Sequence, residues 1–112
     1  MLKKEVLRKQ KDFSSIYKSG RSVPDRYVVL FYKKNDLSYN RTAFLASKKV
    51  GNSVQRNRAK RLMKECYRLN SEKFSEGFDL IFIARNSING RNYRDVERSV
   101  LNAARRGKIT GN

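Results

Sequence analysis

The chain has 112 residues, with 27 Lys and Arg against 10 Asp and Glu and a formal net charge of +17. This length suits a single domain over residues 1–112, and 38% hydrophobic residues, including 6 Phe and 6 Tyr, are enough for a modest core. The lack of His and the single Cys exclude histidine general-base catalysis, His-ligated metals, an internal disulfide framework and Cys-cluster zinc sites. A compact chain with this charge favours a polyanionic partner, nucleic acid first and an anionic membrane second.

The first predicted element follows a basic, flexible N-terminus of about residues 1–8. The segment DFSSIYKSG (12–20) predicts a short helix that Asp12 caps and Gly20 ends. Its apolar residues recur at helical spacing, which predicts one buried face.

Extended segments come next. RSV (21–23) predicts an edge strand before Pro24, which cannot donate to a ladder. RYVVLFYKK is β-branched and aromatic and predicts a strand from about Tyr27 to Lys33. RTAFLASKK (41–49) predicts another strand, and the polar turn between the two predicts a hairpin.

A long helix and a buried strand follow. Asn52 or Ser53 is expected to cap a helix that runs to about Asn70. FDLIFIA (78–84) is an almost unbroken apolar run, which is typical of a strand buried on both faces.

The last predicted element is a helix with an N-terminal cap. Asn92, with Asp95 three residues later, resembles a capping box, and Gly107 is expected to end the helix. The order is one helix, two or three strands, a helix, a strand and a helix. This order predicts an α/β (α+β) sandwich of one small sheet with helices.

The long helix combines an apolar face with a strongly basic one. Between Arg56 and Arg68 it holds six basic residues and one acid, Glu65. Charge runs are usually solvated helix faces, but such faces normally mix signs, whereas stacked like charges cost roughly 0.2–0.5 kcal/mol per close pair. We therefore expect a polyanion to bind there. The polar face comprises Arg56, Asn57, Arg58, Lys60, Arg61, Lys64 and Arg68, opposite Ala59, Leu62, Met63 and Cys66.

The types of cation and their position favour nucleic acid. Arginine has a planar fork that binds phosphate through two hydrogen bonds and stacks on bases. Lys48, Lys49 and the amides around Gly51 lie at the helix N-terminus, where the backbone itself favours an anion.

Aromatic residues suggest either core packing or a cleft for bases. Phe13 and Tyr17 are four residues apart on the first helix, and Tyr27, Val29 and Phe31 are expected to share one face of a strand. Core packing is the ordinary role of such residues. If the helices cover one face of the sheet, the other leaves a cleft where single-stranded bases stack at roughly 1–3 kcal/mol each.

Residues that carry catalysis are not evident. The carboxylates are scattered along the chain, whereas a metal-dependent nuclease normally gathers several acids around its ions. No glycine-rich phosphate loop is present. No stretch approaches the roughly 20 apolar residues of a membrane span, and the start of the chain lacks the apolar run of a signal peptide. We expect a soluble, cytoplasmic protein that does not itself carry the reacting groups.

Three segments resemble the protein subunit of bacterial ribonuclease P. SKKVGNSVQRNRAKRLMKE (47–65) is similar to the arginine-rich motif of that family in residue type, spacing and position. DFSSIYKSG (12–20) resembles its first helix, and FDLIFIARNS (78–87) its last strand. The similarity extends over roughly Lys9 to Arg106.

The resemblance implies a fold and a division of labour. The fold would be a two-layer α-β-β-β-α-β-α sandwich whose small mixed sheet has a left-handed β-α-β crossover through the long helix, against the general right-handed rule. The family's holoenzyme is an endoribonuclease that removes the 5′ leader of precursor tRNA, and its large RNA carries the active site and the Mg²⁺. The protein would then bind no cofactor of its own and would have no catalytic or metal-ligating residues. Its partners would be the catalytic RNA and the leader, with no membrane and no DNA.

The resemblance also implies two binding sites. The catalytic RNA would dock on Lys48, Lys49, Asn52, Arg56, Asn57, Arg58, Lys60 and Arg61, and periodicity extends this set to Lys64 and Arg68. The leader would lie in a cleft between the first helix and the sheet, lined by Phe13, Tyr17 and Phe31.

The strand before the basic motif departs from the family pattern. The family usually has a small, Ser-containing strand here, whereas this chain has AFLASKK with Ala43 and Leu45 at the small and Ser positions. If Leu45 faces the cleft, an apolar group replaces a hydrogen-bonding one and alters leader preference.

Other functions predict different behaviour. A structural RNA-binding protein of the ribosomal type would not co-purify with a single catalytic RNA. A self-sufficient nuclease would cleave RNA alone in a metal-dependent manner. A helix-turn-helix DNA binder would need a helix pair that this strand-rich chain does not show.

Overall fold

The computed structural model describes residues 2–111, which form three helices and one sheet of four strands. The order of these elements is the expected α-β-β-β-α-β-α, and the fold is mixed α+β as predicted. The helices are α1 (Gln10–Ser19), α2 (Ser53–Asn70) and α3 (Tyr93–Arg106), and the strands are β1 (Arg21–Pro24), β2 (Val28–Lys34), β3 (Arg41–Leu45) and β4 (Phe78–Ala84). Short 3₁₀ turns cover Lys3–Glu5, Ser71–Lys73 and Asn86–Ile88.

The strands lie in the order β1-β2-β4-β3, with β3 parallel to β4 and the other pairs antiparallel. The predicted hairpin of β2 and β3 is therefore wrong, because β4 lies between them. The composition of β4 explains this order. Its side chains from Asp79 to Phe82 are all buried, so the strand needs partners on both edges and cover on both faces. α2 connects the parallel strands β3 and β4, and the left hand of this crossover stays a prediction.

Each face of the sheet has its own core. Val28, Leu30 and Phe82 face α2 and α3, where they pack with Met63 and Val100. The opposite face carries a smaller core against α1, made by Leu7, Ile16, Ala43 and Ile81. The sheet thus separates the surface around α2 and α3 from the surface around α1.

The segment before α1 packs against the sheet. Val6 forms a parallel bridge with Thr42, and the amide of Leu7 donates to the Thr42 carbonyl at 2.9 Å. Leu7 is buried. Leu7 thus supplies apolar cover for the smaller core. The flexibility expected of about residues 1–8 stays a prediction, and Met1 lies outside the described residues.

The helix ends agree with the sequence at α2 and α3 but not at the start of α1. Asn52 caps the N-terminus of α2, and Asn92 caps the N-terminus of α3. Gly107 follows the last residue of α3, and its amide donates to the Ala103 carbonyl. At α1 the predicted cap Asp12 is wrong, because the helix begins at Gln10 and Lys9 precedes it without a side-chain cap. The Asp12 carboxylate lies in the first turn, 3.5 Å from the Arg41 guanidinium.

α2 is the longest helix, with 18 residues, and seven of them are charged. Between residues 2 and 111, no helix combines the length and the apolar character needed to cross a membrane.

Candidate nucleic-acid interface

The predicted amphipathic character of α2 is confirmed. Ala59, Met63 and Cys66 are at most 1% exposed and pack in the larger core, while Leu62 is half-buried. The structure brings the predicted cations together on the outer side of the helix. Asn57, Arg58, Arg61, Lys64 and Arg68 are exposed, and Arg56 and Lys60 are half-buried.

The loop before α2, residues 47–52, is held firmly and is called the α2 loop below. Val50 is buried, so it anchors the loop in the core, whereas Lys48 and Lys49 are exposed. Gly51 has φ +144°, and a Cβ there would lie 1.9 Å from the side-chain oxygen of Gln55. That oxygen accepts from the Asn52 amide at 2.9 Å, while Asn52 Oδ1 accepts from the Gln55 amide at 2.9 Å. The lysines are therefore presented from a rigid turn.

The cations of α2 fall into two groups by their internal contacts. Arg56 Nη1 donates to the Gly51 carbonyl at 3.0 Å, and Arg58 Nη2 donates to the Arg91 carbonyl at 2.7 Å. Arg68 pairs with Glu65, and its hydrogen bond lowers the pKa of that carboxyl. These three guanidinium groups already have protein partners.

The second group has no partner in the part of the chain that the structure describes. Within residues 2–111, the side chains of Lys60, Arg61 and Lys64 make no hydrogen bond or ion pair, and the same holds for Lys48 and Lys49. Their charges are therefore available to an external anion.

A groove runs between the basic face of α2 and the start of α3. Its volume is about 400 Å³, and its apolar surface comes from Leu62 and Tyr93. Arg58, Arg61, Lys64, Glu65 and Arg68 complete its walls. Cations beside an apolar surface suit a nucleotide, because phosphate binds the guanidinium groups and a base contacts the ring.

A hydrogen-bond network fixes α2 against α3. Asn70 Nδ2 donates to the Cys66 carbonyl and to Glu97 Oε2, each at 2.8 Å, and the Tyr93 hydroxyl donates to the same Glu97 oxygen at 2.8 Å. These bonds lower the pKa of Glu97. Desolvation, helped by the bond to Glu97, raises the pKa of Tyr93 to about 12. The network keeps Tyr93 in place beside the groove.

Cys66 is a core residue, as expected from its place on the apolar face of α2. It is fully buried, and burial raises the pKa of its thiol to about 12. A thiol in this state is a poor nucleophile.

The three predicted cleft aromatics lie together on the opposite side of the sheet. The rings of Tyr17 and Phe31 meet edge to face, with centroids 5.1 Å apart and an interplanar angle of 88°. Phe13 and Phe31 pack on the smaller core, while Tyr17 is 45% exposed. The structure therefore forms an aromatic corner between α1 and β2.

The floor of this cleft continues past α1 as a row of half-buried apolar side chains. Val29 pairs in register with Ile83, which pairs with Leu45. Leu45 packs against the smaller core, as Phe13 and Phe31 do, so it faces the cleft. Val29 and Ile83 were not singled out as site residues from the sequence, although strand alternation placed Val29 beside Phe31.

Tyr27 does not belong to this face. It precedes β2, its amide donates to Ser99 Oγ at 3.1 Å, and its ring lies in the larger core, 5.2 Å from the Arg91 guanidinium. The expectation that Tyr27 shares a face with Phe31 is wrong, because the alternation of β2 begins only at Val28.

A charged row closes the other end of the cleft. Arg41 donates to both oxygens of Asp79 at 2.8 and 2.7 Å, and Asn35 Nδ2 donates to Asp79 Oδ1 at 2.9 Å. Lys33 Nζ, in register with Asp79, donates to Ser15 Oγ of α1. With the Asp12–Arg41 pair, these contacts fix α1 on the sheet.

The carboxylates do not assemble into a metal centre. In the part of the chain from residue 2 to residue 111, no group of three or more Cys, Asp or Glu side chains is placed to hold a metal ion.

Comparisons of the sequence with known proteins agree on one family. The family model described as Ribonuclease P matches residues 1–108. The ribonuclease P protein component of Clostridium botulinum (strain Langeland) is 47% identical over 109 residues, which cover 96% of this chain and 98% of that protein.

Solved structures of similar proteins have the same fold. A mutant of the Staphylococcus aureus RNase P protein with defective mRNA degradation activity superposes with a TM-score of 0.88 at 30% identity, over 96% of this chain and 91% of that one. The RNase P protein from Thermotoga maritima gives a TM-score of 0.83 at 31% identity, over 91% of this chain and 96% of that one.

Proposed function

Because the chain belongs to the ribonuclease P protein family, we propose that it binds the catalytic RNA of ribonuclease P and helps that RNA to remove the 5′ leader of precursor tRNA. The observation that carries this proposal is the basic face of α2, where Lys60, Arg61 and Lys64 have no partner among the described residues and are presented from a helix that a rigid loop precedes. Like charges held this close repel each other, and a polyanion on the face offsets the repulsion.

The α2 surface is the docking site for the catalytic RNA. Lys60, Arg61 and Lys64 contact phosphates directly, since no group within residues 2–111 bonds to their side chains. Arg56 and Arg58 also hold the α2 loop and the loop before α3, so they shape the surface as well as charging it. The remaining members are Lys48, Lys49, Asn52, Asn57 and Arg68, of which Asn52 also serves as the helix cap.

The cleft beside α1 holds the single-stranded leader. Tyr17 offers an exposed ring for stacking, and Phe13 and Phe31 support it from the core side. Leu45 and Ile83 offer no hydrogen-bonding groups, so this part of the floor is tolerant of base identity.

The catalytic steps belong to the RNA in this proposal. Mg²⁺ would be held by the RNA and would supply Lewis-acid chemistry for the hydrolysis there. The protein supplies positioning and charge neutralisation, and the cytoplasm remains its predicted location.

The test is cleavage of a precursor tRNA at low Mg²⁺ by the protein alone, by a bacterial ribonuclease P RNA alone and by both together. We expect strong cleavage at the leader junction only when both are present. RNA binding without any stimulation of this cleavage would contradict the proposal and favour a structural RNA-binding role.

Cleavage of mRNA by the protein alone is a second candidate, favoured by the S. aureus relative whose mutant is defective in mRNA degradation. A labelled mRNA incubated with the protein, with and without the ribonuclease P RNA, tests it. We expect no cleavage in either case, and degradation by the protein alone would support the second candidate.

A further inference from the structure

A second basic cavity lies between the β1–β2 turn and α3. Its volume is about 470 Å³, and it is called the α3 pocket here. The residues that matter below are Asp25, Arg26, Arg98, Ser99, Asn102 and Arg106, all of which line it. None of them belongs to the α2 surface or to the aromatic cleft.

The floor of the α3 pocket is a closed polar network. Ser99 is buried and donates to Asp25 Oδ1 at 2.8 Å, while Arg106 donates to Asp25 Oδ2 at 2.7 Å. Burial tends to raise the pKa of Asp25, but the hydrogen bonds from the Arg26 amide, Ser99 and Arg106 outweigh it, so the pKa is lowered. Asp25 is therefore a charged residue whose two oxygens are already used.

The rim carries cations without such partners. Within the described chain, the guanidinium groups of Arg26 and Arg98 make no hydrogen bond or ion pair, and both residues are exposed. The pocket holds three guanidinium groups against the two carboxylates of Asp25 and Asp95, and Asp25 already pairs with Arg106. The excess of positive charge in the pocket favours binding of an anion.

The kind of cation points to phosphate. Between residues 85 and 107 the chain has six Arg and no Lys, whereas residues 3–18 have five Lys and one Arg. Guanidinium matches phosphate oxygens with two parallel hydrogen bonds and loses less hydration than ammonium does.

The α3 pocket adjoins the α2 surface. Tyr27 lines the pocket, the Arg91 guanidinium lies 5.2 Å from its ring, and the Arg91 carbonyl accepts the hydrogen bond from Arg58. The aromatic cleft lies on the other face of the sheet. An RNA that covers the α2 surface therefore reaches the pocket, and a strand in the cleft does not.

We propose that the α3 pocket is a second contact site for the catalytic RNA, where Arg26 and Arg98 bind a backbone phosphate. This inference rests on the proposed function, since it assigns the same RNA to a further surface.

The test compares two double variants in their affinity for a ribonuclease P RNA across a salt series. Arg26→Ala with Arg98→Ala should weaken binding about ten-fold and reduce the log–log salt slope by about 0.8, because the contact with one backbone phosphate is lost. The control, Arg21→Ala with Lys34→Ala, removes the same charge from exposed side chains that have no partners within residues 2–111. Equal losses in both variants, or none in the first, would overturn the inference.

Crosslinking distinguishes contact from a structural effect. Asn102→Cys, carrying a photoreactive group, should attach to the catalytic RNA, whereas Arg21→Cys should not. Native Cys66 is buried and does not take up the label. Attachment to precursor tRNA alone, or to neither RNA, would overturn the inference. If the wild-type protein binds the RNA and stimulates cleavage in the same assays, the proposed function stands whatever the outcome at the α3 pocket.

Discussion

Tyr17 is the cleft residue whose replacement disturbs the fold least, because it is 45% exposed while Phe13 and Phe31 are partly buried against the smaller core. Tyr17→Ala should lower affinity for precursor tRNA about ten-fold, the lower end of roughly 1–3 kcal/mol per stacked base. Affinity for mature tRNA, which lacks the leader, should not change. The measurement is binding of both tRNAs to the reconstituted holoenzyme.

Tyr17→Phe is the matched control for that variant, since it keeps the ring and removes only the hydroxyl. It should retain nearly all affinity for the precursor. A similar loss of affinity for precursor and mature tRNA in Tyr17→Ala would show that the ring does not contact the leader.

Cys66 gives a prediction that depends on pH. Burial raises the pKa of its thiol from 9.0 to about 12, so the folded state retains a proton that the unfolded state loses. The contribution to stability is therefore full below about pH 9 and is lost as the pH rises towards 12. Urea unfolding from pH 8 to pH 11 should show a smaller loss of stability in Cys66→Val than in the wild type. An identical decline in both proteins would contradict the assigned cause.

At the scale of elements, α2 has separate contact and support roles. Replacing Lys60, Arg61 and Lys64 with Ala should weaken binding of the catalytic RNA and flatten its salt dependence, with thermal stability nearly unchanged, because these side chains have no protein partners within residues 2–111. Arg56→Ala with Arg58→Ala should lower both RNA affinity and stability, since two hydrogen bonds to loop carbonyls are lost at about 1 kcal/mol each.

Titration of RNA at several salt concentrations, together with thermal unfolding of each variant, checks this division. A fall in melting temperature for the first set as large as for the second would mean that the outer cations also support the fold.

Helices and strands could be predicted from the sequence where a single local pattern determines the structure. α2 follows from helical spacing and the Asn52 cap, and the burial of β4 follows from its apolar run. Pairing of β4 between β2 and β3 depends on contacts distant in sequence, which the polar turn before β3 did not reveal. The prediction of Asp12 as the cap of α1 was wrong because the helix begins two residues earlier, at Gln10. The contact of Asp12 with Arg41 could not be predicted either, since only the folded sheet brings the two residues near each other.

At the scale of the whole molecule, the sheet keeps the α2 surface and the cleft apart. Tyr17 contacts Phe31 on the α1 side of the sheet, and Arg61, on the outer side of α2, shares no partner with it among the described residues. The effects of Tyr17→Ala and Arg61→Ala on binding of precursor tRNA by the holoenzyme should therefore add within about 0.5 kcal/mol. The double variant and both single variants, measured in one buffer, test this. A larger coupling would mean that RNA docking reshapes the cleft.

The sequence predicted which residues form the candidate site better than it predicted the contacts that these residues make. Periodicity places the cations of α2 on one face, and resemblance supplies Phe13, Tyr17 and Phe31. Neither reveals that Arg56 and Arg58 bond to carbonyls, or that the β1–β2 turn meets α3 around Asp25, because these contacts join residues far apart in the chain.

The position of β4 between β2 and β3 also constrains how the protein is made. During translation the first 77 residues emerge before any part of β4, so β3 has no partner strand and the larger core lacks Leu80 and Phe82. The basic helix α2 therefore lacks much of its packing surface until β4 leaves the ribosome. During that time its cations lie close to the phosphates of ribosomal RNA. Early folding that ended at β3 would leave two unpaired strand edges, so cooperative folding after residue 84 protects the chain from association with other strands.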